Sequence, residues 1–483
     1  MSLTAALGIA QNSLLATARR TSVVSQNITN ANNADYSRRT AVLASDAPGV
    51  RVAEIRRAAN EALFRQNLTA LSNWEGQQRL LSGLDQIALS VNGADNAGSP
   101  ASALGNLQEA LQLYSATPAS ANLAEGAVDA ARQLVQSLNT GSAEIQSFRT
   151  SMDVEINVAV NDLNRLLADF EVANRAVVAA TASGRDAADA LDQRDAILRQ
   201  IGQYVPVTIS NRANGDMVLT SNGATLFETV PRAVSFQPTA AYGPGIEGGA
   251  IYIDGIPVSA ASGGGASGRL ASLVTLRDDV AVDMQTQLDE IARGAIEAFA
   301  EIDQSGAGGP ALAGLFTWIG GPALPPEGTV TTGLAADIRL NTAFVTSAGG
   351  NPVLLRDGGA NGAAYVANSG LASFADLLIA FGDRLDAPNS FDVSTGLATA
   401  TSVMALSTNA ISWIEAMRRE TSSAEVATSA LLVRTSEALS NEIGVNLDME
   451  MSLLLELEHA YTASARLLKT VDEMMATLLQ AVG

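Results

Sequence analysis

The sequence predicts a mainly α-helical, elongated, multidomain protein in which coiled-coil-like helices at the two ends flank a long helical bundle with a β-rich insertion. Three observations carry that expectation. Apolar residues recur at helical spacing over most of the chain, each end carries a heptad-like stripe, and the period falls to two only between about Val205 and Val258. The 483 residues suffice for several cores. Hydrophobic residues make up 47% but aromatics only 4%, so the apolar content is mainly Ala, Leu and Val. That balance suits thin, shallowly packed helices better than a deep catalytic pocket.

At the N-terminal end Leu3, Leu7, Ala10, Leu14, Thr17, Thr21, Val24 and Ile28 alternate in steps of four and three. This seam keeps one stripe of a helix against a partner helix. It stops at Asn27-Ile28-Thr29-Asn30-Ala31-Asn32-Asn33, where clustered Asn favours termination and tight turns. The uncharged stretch up to Ala18 ends in Ala16-Thr17-Ala18, as a cleavable signal would. No basic residue precedes it, however, and Gln11-Asn12-Ser13 interrupts it, so an uncleaved helix is expected. The same interruptions defeat a membrane span, which needs about 18 predominantly apolar residues.

An extended stretch over Thr40 to Ile55 leads to helical spacing from Ala59 through Leu63, Leu68, Leu81, Leu84 and Ile87. Ser99-Pro100 supplies a cap and a first-turn proline for the next helix. After Pro118 the longest candidate runs from about Ala119 to Ala182, with Gly126 and Gly141 weakening its continuity. A helix from Arg185 to Gln203 follows. In the β section Asn214-Gly215, Asn222-Gly223 and Asp254-Gly255 mark turns, and Gly263-Gly264-Gly265 closes it. With helices on both sides, this section is expected to fold as a peripheral unit. Helical spacing returns from Leu270 to Ile302. Residues 304–395 read as loops, short strands and one small helix from about Leu371 to Leu385, and a helix runs from Thr401 to about Ser440. A second heptad-like stripe, Leu447, Met451, Leu454, Leu457, Tyr461, Ser464, Leu468, Val471, Met475 and Leu478, follows a possible cap at Asn446. The resulting division is a terminal paired-helix module (1–58 and 441–483), a helical bundle (59–203, 268–303 and 398–440), a β-rich outer insertion (204–267) and a mixed Gly/Ala-rich outer segment (304–397).

Little chemistry is encoded. A formal charge of −21 argues against nucleic-acid or acidic-lipid binding, both of which need a basic surface. The absence of cysteine removes disulfides, thiol catalysis and cysteine-ligated metals. The Gly263–Gly268 run lacks the Lys-Ser/Thr ending of a phosphate loop. His459 has no second histidine with which to hold zinc. Asp186-Asp189-Asp192 and Asp278-Asp279-Asp283 lack calcium-loop spacing and read as solvated acidic faces. No catalytic triad can be assembled, so an enzyme, a cofactor and a metal are not expected.

Ser25-Gln26-Asn27-Ile28-Thr29-Asn30-Ala31-Asn32-Asn33-Ala34-Asp35-Tyr36-Ser37-Arg38 resembles the N-terminal signature of the rod, hook and hook-associated proteins of bacterial flagella. Gly444 to Met451, His459 to Arg466 and Val471 to Met474 resemble the matching C-terminal signature. Gly268-Arg269-Leu270-Ala271-Ser272-Leu273, Arg277-Asp278 and Leu288-Asp289-Glu290-Ile291-Ala292 are similar to the helical domain of the hook-associated members that join hook to filament. The chain departs from the family at Met449, where members usually have Glu, at His459, where they often have Gln, and at Ala300-Glu301-Ile302-Asp303, which lacks the usual Asn-x-x-His. The resemblance implies a structural, non-enzymatic component of the junction between hook and filament, exported by the flagellar type III apparatus. It implies as partners further copies in a ring, the hook protein, the second hook-associated junction protein and an export chaperone. Seam and signature together give the candidate assembly residues: Leu3, Leu7, Leu14, Val24, Ile28, Asn30 and Tyr36 with Leu447, Leu454, Tyr461, Leu468, Val471 and Met475. Another axial protein (the hook protein or the second junction protein) and a secreted coiled-coil adhesin remain as alternatives at this point.

Overall fold

The computed structural model describes residues 3–45, 49–257 and 267–482 and is mainly helical, with small sheets. Helix α1 (Leu3–Thr29) ends at the asparagine cluster, where the chain turns into an antiparallel hairpin of β1 (Arg39–Ser45) and β2 (Val50–Arg57). Asn60 caps α2 (Glu61–Asn92) by accepting from Leu63 N. Ser99 caps α3 (Pro100–Ala116), with the proline in the first turn, where its missing N–H costs nothing. Ser120 caps α4 (Ala121–Ala182), whose 62 residues span roughly 90 Å. Neither glycine breaks it: Gly126 faces open space, and a Cβ at Gly141 would meet Leu288 Cδ1 at 3.0 Å. Gly141 is therefore a point of close helix approach. Helix α5 (Ala188–Tyr204) completes the first half.

The change of period produces β3 (Thr208–Asn211), β4 (Met217–Ser221), β5 (Ala224–Glu228) and β6 (Val230–Pro231) in a four-stranded antiparallel meander. A smaller sheet holds β7 (Val234–Phe236), β8 (Ile251–Ile253) and β9 (Ile256–Pro257). The Asn222-Gly223 and Asp254-Gly255 turns take positive φ at both residues, as tight hairpins require. Val258 and Gly263–Gly265 lie outside the described residues. Helix α6 (Arg269–Val274) continues through a π-helical stretch, Thr275–Val280, into α7 (Ala281–Ala298). The mixed segment contains β10 (Phe316–Thr317), α8 (Leu334–Asp337), β11 (Arg339–Leu340), α9 (Leu354–Asp357), α10 (Asp376–Asp386) and β12 (Asn389–Ser390), which pairs with β13 (Ala400–Thr401) just beyond it. The small helix expected from Leu371 begins instead at Asp376. Helices α11 (Val403–Ile443) and α12 (Leu447–Val482) finish the chain.

Helices α2 and α11 run antiparallel, tied by Asn67 to Ser436 (2.9 Å), Trp74 Nε1 to Glu425 (2.9 Å) and Arg418 Nε to Asp85 (2.8 Å). Helix α4 is the spine of the core. Leu134, Ile145, Ile156, Leu163 and Phe170 are buried in one continuous cluster with residues of α3, α5, α6 and α7. The mixed segment joins the same cluster through Phe316 and Phe381, whose rings lie 5.1 and 5.0 Å from that of Phe299. Asp289 of α7 accepts from Gly333 N and Ala335 N at the start of α8.

The β section packs against α4. Leu219, Leu226, Phe227, Val234, Ile251 and Ile253 belong to the same buried cluster, and Phe227 meets Phe170 edge-on at 4.9 Å. Asn164 of α4 both donates to Val234 O (2.8 Å) and accepts from Val234 N (3.1 Å). Buried Asp153 accepts from Thr239 N, Tyr242 Oη and Arg277 Nη1 at 2.8, 2.7 and 2.6 Å. Alternation in the strands showed that one face is buried. It did not show that the covering surface is α4.

Asp283 gives the body a pH response. Burial first, and then the neighbouring Asp279 carboxylate, push its pKa up to about 6. The folded state therefore holds this proton more tightly than the unfolded chain, whose Asp titrates near ~3.9. The stabilisation is complete below the unfolded value and is lost as pH rises through about 6. Asp283→Asn should raise stability at pH 7.5 by about 1 kcal/mol, after discounting for partial solvent screening, and change it little at pH 4. Urea midpoints at the two pH values check this, and equal effects at both would contradict it.

Candidate assembly interface

Helices α1 and α12 pair antiparallel, bringing the two ends of the sequence together: Ser13 Oγ lies 3.0 Å from Ser464 Oγ. On α1 the seam falls as spaced, with Ala10, Thr17 and Val24 buried and Leu3, Leu7, Leu14, Thr21 and Ile28 half-buried. On α12, Leu457 and Val471 are buried, and Leu454, Ser464, Leu468 and Met475 are half-buried. The remaining stripe members do not face α1. Leu447 and Tyr461 are 45% and 50% exposed, as are Met451 and Leu478 to similar degrees, and Ala460 takes the seam position beside Tyr461. A single partner helix covers only a narrow strip, so flanking apolar positions stay outside it. Leu15, Leu455 and Leu479 are exposed as well. Asn30 bonds its own helix, donating to Gln26 O at 2.9 Å, and closes α1.

A buried polar knot anchors the pair to the rest of the chain. Asn27, 1% exposed, uses its whole amide. Its Nδ2 donates to Arg39 O (2.9 Å) and Glu450 Oε2 (3.0 Å), and its Oδ1 accepts from Tyr36 Oη (2.8 Å) and Arg39 N (3.0 Å). Glu450, fully buried, also accepts from Arg38 Nε at 2.7 Å. Arg38 N donates to Ile443 O at 2.7 Å, fastening the turn between α11 and α12. Asn446 caps α12 by accepting from Met449 N. Burial pushes the Tyr36 hydroxyl pKa up, and the guanidinium of Arg39, 4.7 Å from the ring centre, opposes it.

The same residues reach the helical body. Arg39 Nη2 donates to Asp189 (2.5 Å) and Asp192 (3.0 Å), while Arg57 donates to Asp192 (2.6 Å) and Asp195 (2.5 Å). Arg199 bonds Asp35. Asp189 and Asp192 of the expected acidic face, with Asp195, are thus a docking site for the hairpin's arginines, whereas Asp186 accepts from Ala188 N. The helical spacing of that face is plain in the sequence, but the cations that meet it lie some 150 residues away. Asp278 is likewise committed, accepting from Arg277 at 2.9 and 2.7 Å.

Asn27 and Glu450 were not singled out by the seam, because polar residues do not mark apolar stripes. The available signal was their place inside the two terminal signatures. Met449, the residue that departs from the family pattern, is 55% exposed and lies outside the knot, whereas Glu450 sits within it. His459 is exposed, and no cluster of metal-ligating residues occurs among the described residues. No described helix is long and apolar enough to cross a membrane. Between α1, β2, α2, α5 and the end of α11 lies a cleft of about 840 Å³ with both apolar and charged walls.

Residues 84–314 match the flagellar hook-associated protein FlgK helical domain, and residues 440–481 match the flagellar basal body rod FlgEFG protein C-terminal region. Flagellar hook-associated protein 1 of Bacillus subtilis (strain 168) is 22% identical over 379 residues, covering 72% of this chain and 70% of the relative. The solved flagellar hook junction protein FlgK from Burkholderia pseudomallei has the same fold, with a TM-score of 0.55 at 14% identity, covering 77% of this chain and 99% of that one.

Proposed function

The chain belongs to the flagellar hook-associated protein family, as a hook–filament junction protein, and from that premise we propose that copies of it form a ring between hook and filament on which the filament is built. The observation that carries this reading is the α1–α12 pair. It is knotted at Asn27 and Glu450 but leaves Leu15, Leu447, Leu455, Tyr461 and Leu479 exposed along its length. A helix pair so incompletely covered is suited to lateral packing against further copies.

In this reading residues 1–58 and 441–483 form the axial module. Residues 59–203, 268–303 and 398–440 form the surrounding bundle, and 204–267 and 304–397 face outward. Leu3, Leu7, Leu14, Val24, Ile28, Leu454, Leu468, Val471 and Met475 hold the pair together, Asn30 and Tyr36 shape its inner end, and Leu447 and Tyr461 meet neighbours. The partners are further copies, the hook protein, the second hook-associated junction protein and an export chaperone, and the chain leaves the cell by the flagellar export route. The role is structural, with no chemistry asked of any side chain.

Labelled antibody against the outer segment should mark a narrow band between hook and filament, and cells lacking the protein should carry hooks without filaments. Label spread over the cell surface, or normal filaments in its absence, would overturn the reading.

A further inference from the structure

The charge of the terminal module is divided between its two halves. Residues 1–58 carry seven basic and three acidic side chains, while residues 441–483 carry two basic and seven acidic. Part of this difference is consumed within the chain at Arg38–Glu450. The remainder falls on two separate surfaces.

The first is the cleft beneath the hairpin. Its acids are already engaged: Glu54 with Arg56, Glu61 with Arg65, Asp195 with Arg57, and Asp186 with the backbone N–H of Ala188. Three of its cations make no ion pair among the described residues: Arg19 of α1, Arg185, whose Nε donates to Ser183 Oγ, and Arg194. Arg194, buried to 6% exposure, gives Nη1 to Asn174 Oδ1 (3.1 Å) and Gly215 O (2.8 Å), and neither partner carries charge. Its Nε has no hydrogen-bond partner at all. No carboxylate bonds it directly, although Asp195, Asp216 and Glu61 lie near enough to favour its charge; burial outweighs them and lowers its pKa. The walls between these arginines are apolar, with Val23, Val52, Phe64 and Leu191 among them.

The second surface is the outer stripe of α12, turned away from α1. Asp448, Met451, Leu455 and Glu458 follow one another at helical spacing, and all four are exposed. Neither acid makes an ion pair among the described residues. The stripe presents two acids flanking two apolar side chains, and the cleft presents unpaired cations together with apolar walls.

We propose that the cleft of one copy receives the Asp448–Glu458 stripe of α12 from a second copy of this chain. The inference rests on the ring reading above and adds the contact that makes the ring close. The two surfaces differ, so each copy gives one and takes the other. Such a head-to-tail contact generates rings, whereas a contact that places the same patch against itself stops at two. Met451 and Leu455 enter the apolar part of the cleft, and Asp448 and Glu458 bring negative charge to a cleft whose Arg19, Arg185 and Arg194 have no carboxylate bonded to them.

The absence of cysteine makes the test clean. Ser22 lines the cleft and Ser452 lies on the stripe. Cells producing Ser22→Cys and Ser452→Cys copies together, one of them tagged, should yield after mild oxidation a mixed disulfide dimer in the assembled flagellum. Cells producing either variant alone should yield none. A protein present in the flagellum without the mixed product, or with same-variant dimers in its place, overturns this contact and leaves the junction reading intact. A protein absent from the flagellum in the wild type overturns the junction reading itself. Charge exchange decides the matter should the cysteine variants fail to assemble. Arg19→Glu should lower the fraction of filament-bearing cells about tenfold, the effect of about 1.4 kcal/mol at one contact, and so should Asp448→Arg with Glu458→Arg. Combining all three substitutions should restore filaments. Additive loss in the combination overturns the proposal.

Discussion

Replacing Glu450 by alanine should release the terminal helices while leaving the body between α2 and α11 folded. Glu450 is the one carboxylate of the knot on α12, accepting from Asn27 and Arg38 in a site closed to solvent. Its loss strands an Asn27 donor and removes the counter-charge of Arg38. Truncating one partner of a buried pair costs about 3–5 kcal/mol, and the lower end applies because Arg38 is partly exposed. Little else in the seam offsets this. Thr17, Thr21, Ser13 and Ser464 contribute less on burial than leucine would, and the side-chain hydrogen bond at Ser13–Ser464 is worth about 1 kcal/mol. At about 3 kcal/mol, amide exchange in α12 should accelerate on the order of a hundredfold. Protease should then cut near the 30–38 and 443–447 turns. Glu450→Gln, which retains shape and one acceptor, should show a smaller loss. Unchanged protection of α12 in the alanine variant would mean that the apolar seam alone holds the pair.

The knot also marks where sequence reading reached its limit. The helices, their caps at Ser99 and Asn446, and the hairpin turns at Asn222-Gly223 and Asp254-Gly255 were all legible, because periodicity and turn chemistry are local. The α1 stripe agreed with its burial for the same reason. The α12 stripe was only partly correct: counting apolar residues admits Met451 and Tyr461, whereas a single partner helix reaches Ala460 and Ser464 on the covered side. Asn27, Arg39 and Glu450 could not be ranked, since a polar residue's value depends on partners hundreds of positions away. Asp192 illustrates the same limit. Its helical spacing fits a solvated face, and only the fold brings Arg39 and Arg57 to it.

The second large effect concerns the β section. Replacing residues 208–265 by a short Gly/Ser linker should unfold much of the helical body. The sequence suggested the opposite, because strands bounded by helices look self-contained. Six buried apolar side chains of this section (Leu219, Leu226, Phe227, Val234, Ile251 and Ile253) lie in the cluster built on α4. At about 1.5–3 kcal/mol each, their removal forfeits roughly 10 kcal/mol, comparable with the 5–15 kcal/mol that holds a typical domain together. The polar account is as severe. Asp153 loses Thr239 and Tyr242, Arg149 loses the Ile246 carbonyl, and Asn164 and Asn174 lose partners on β7 and beside β4. Groups buried for those partners would face water or nothing, and α4 would expose Phe170. Helical circular dichroism should therefore fall cooperatively, with a melting transition lowered or absent. The milder variant Asp153→Ala separates packing from charge. It keeps every apolar contact but removes the more deeply buried of the two carboxylates on Arg277, leaving Asp278 at 2.7 Å, and it should cost about 3 kcal/mol, the low end for a broken buried pair. Full helicity in the deletion variant would show that the strands only lie on α4. Loss in both variants would establish α4 as a helix whose length is sustained by what the β section places against it.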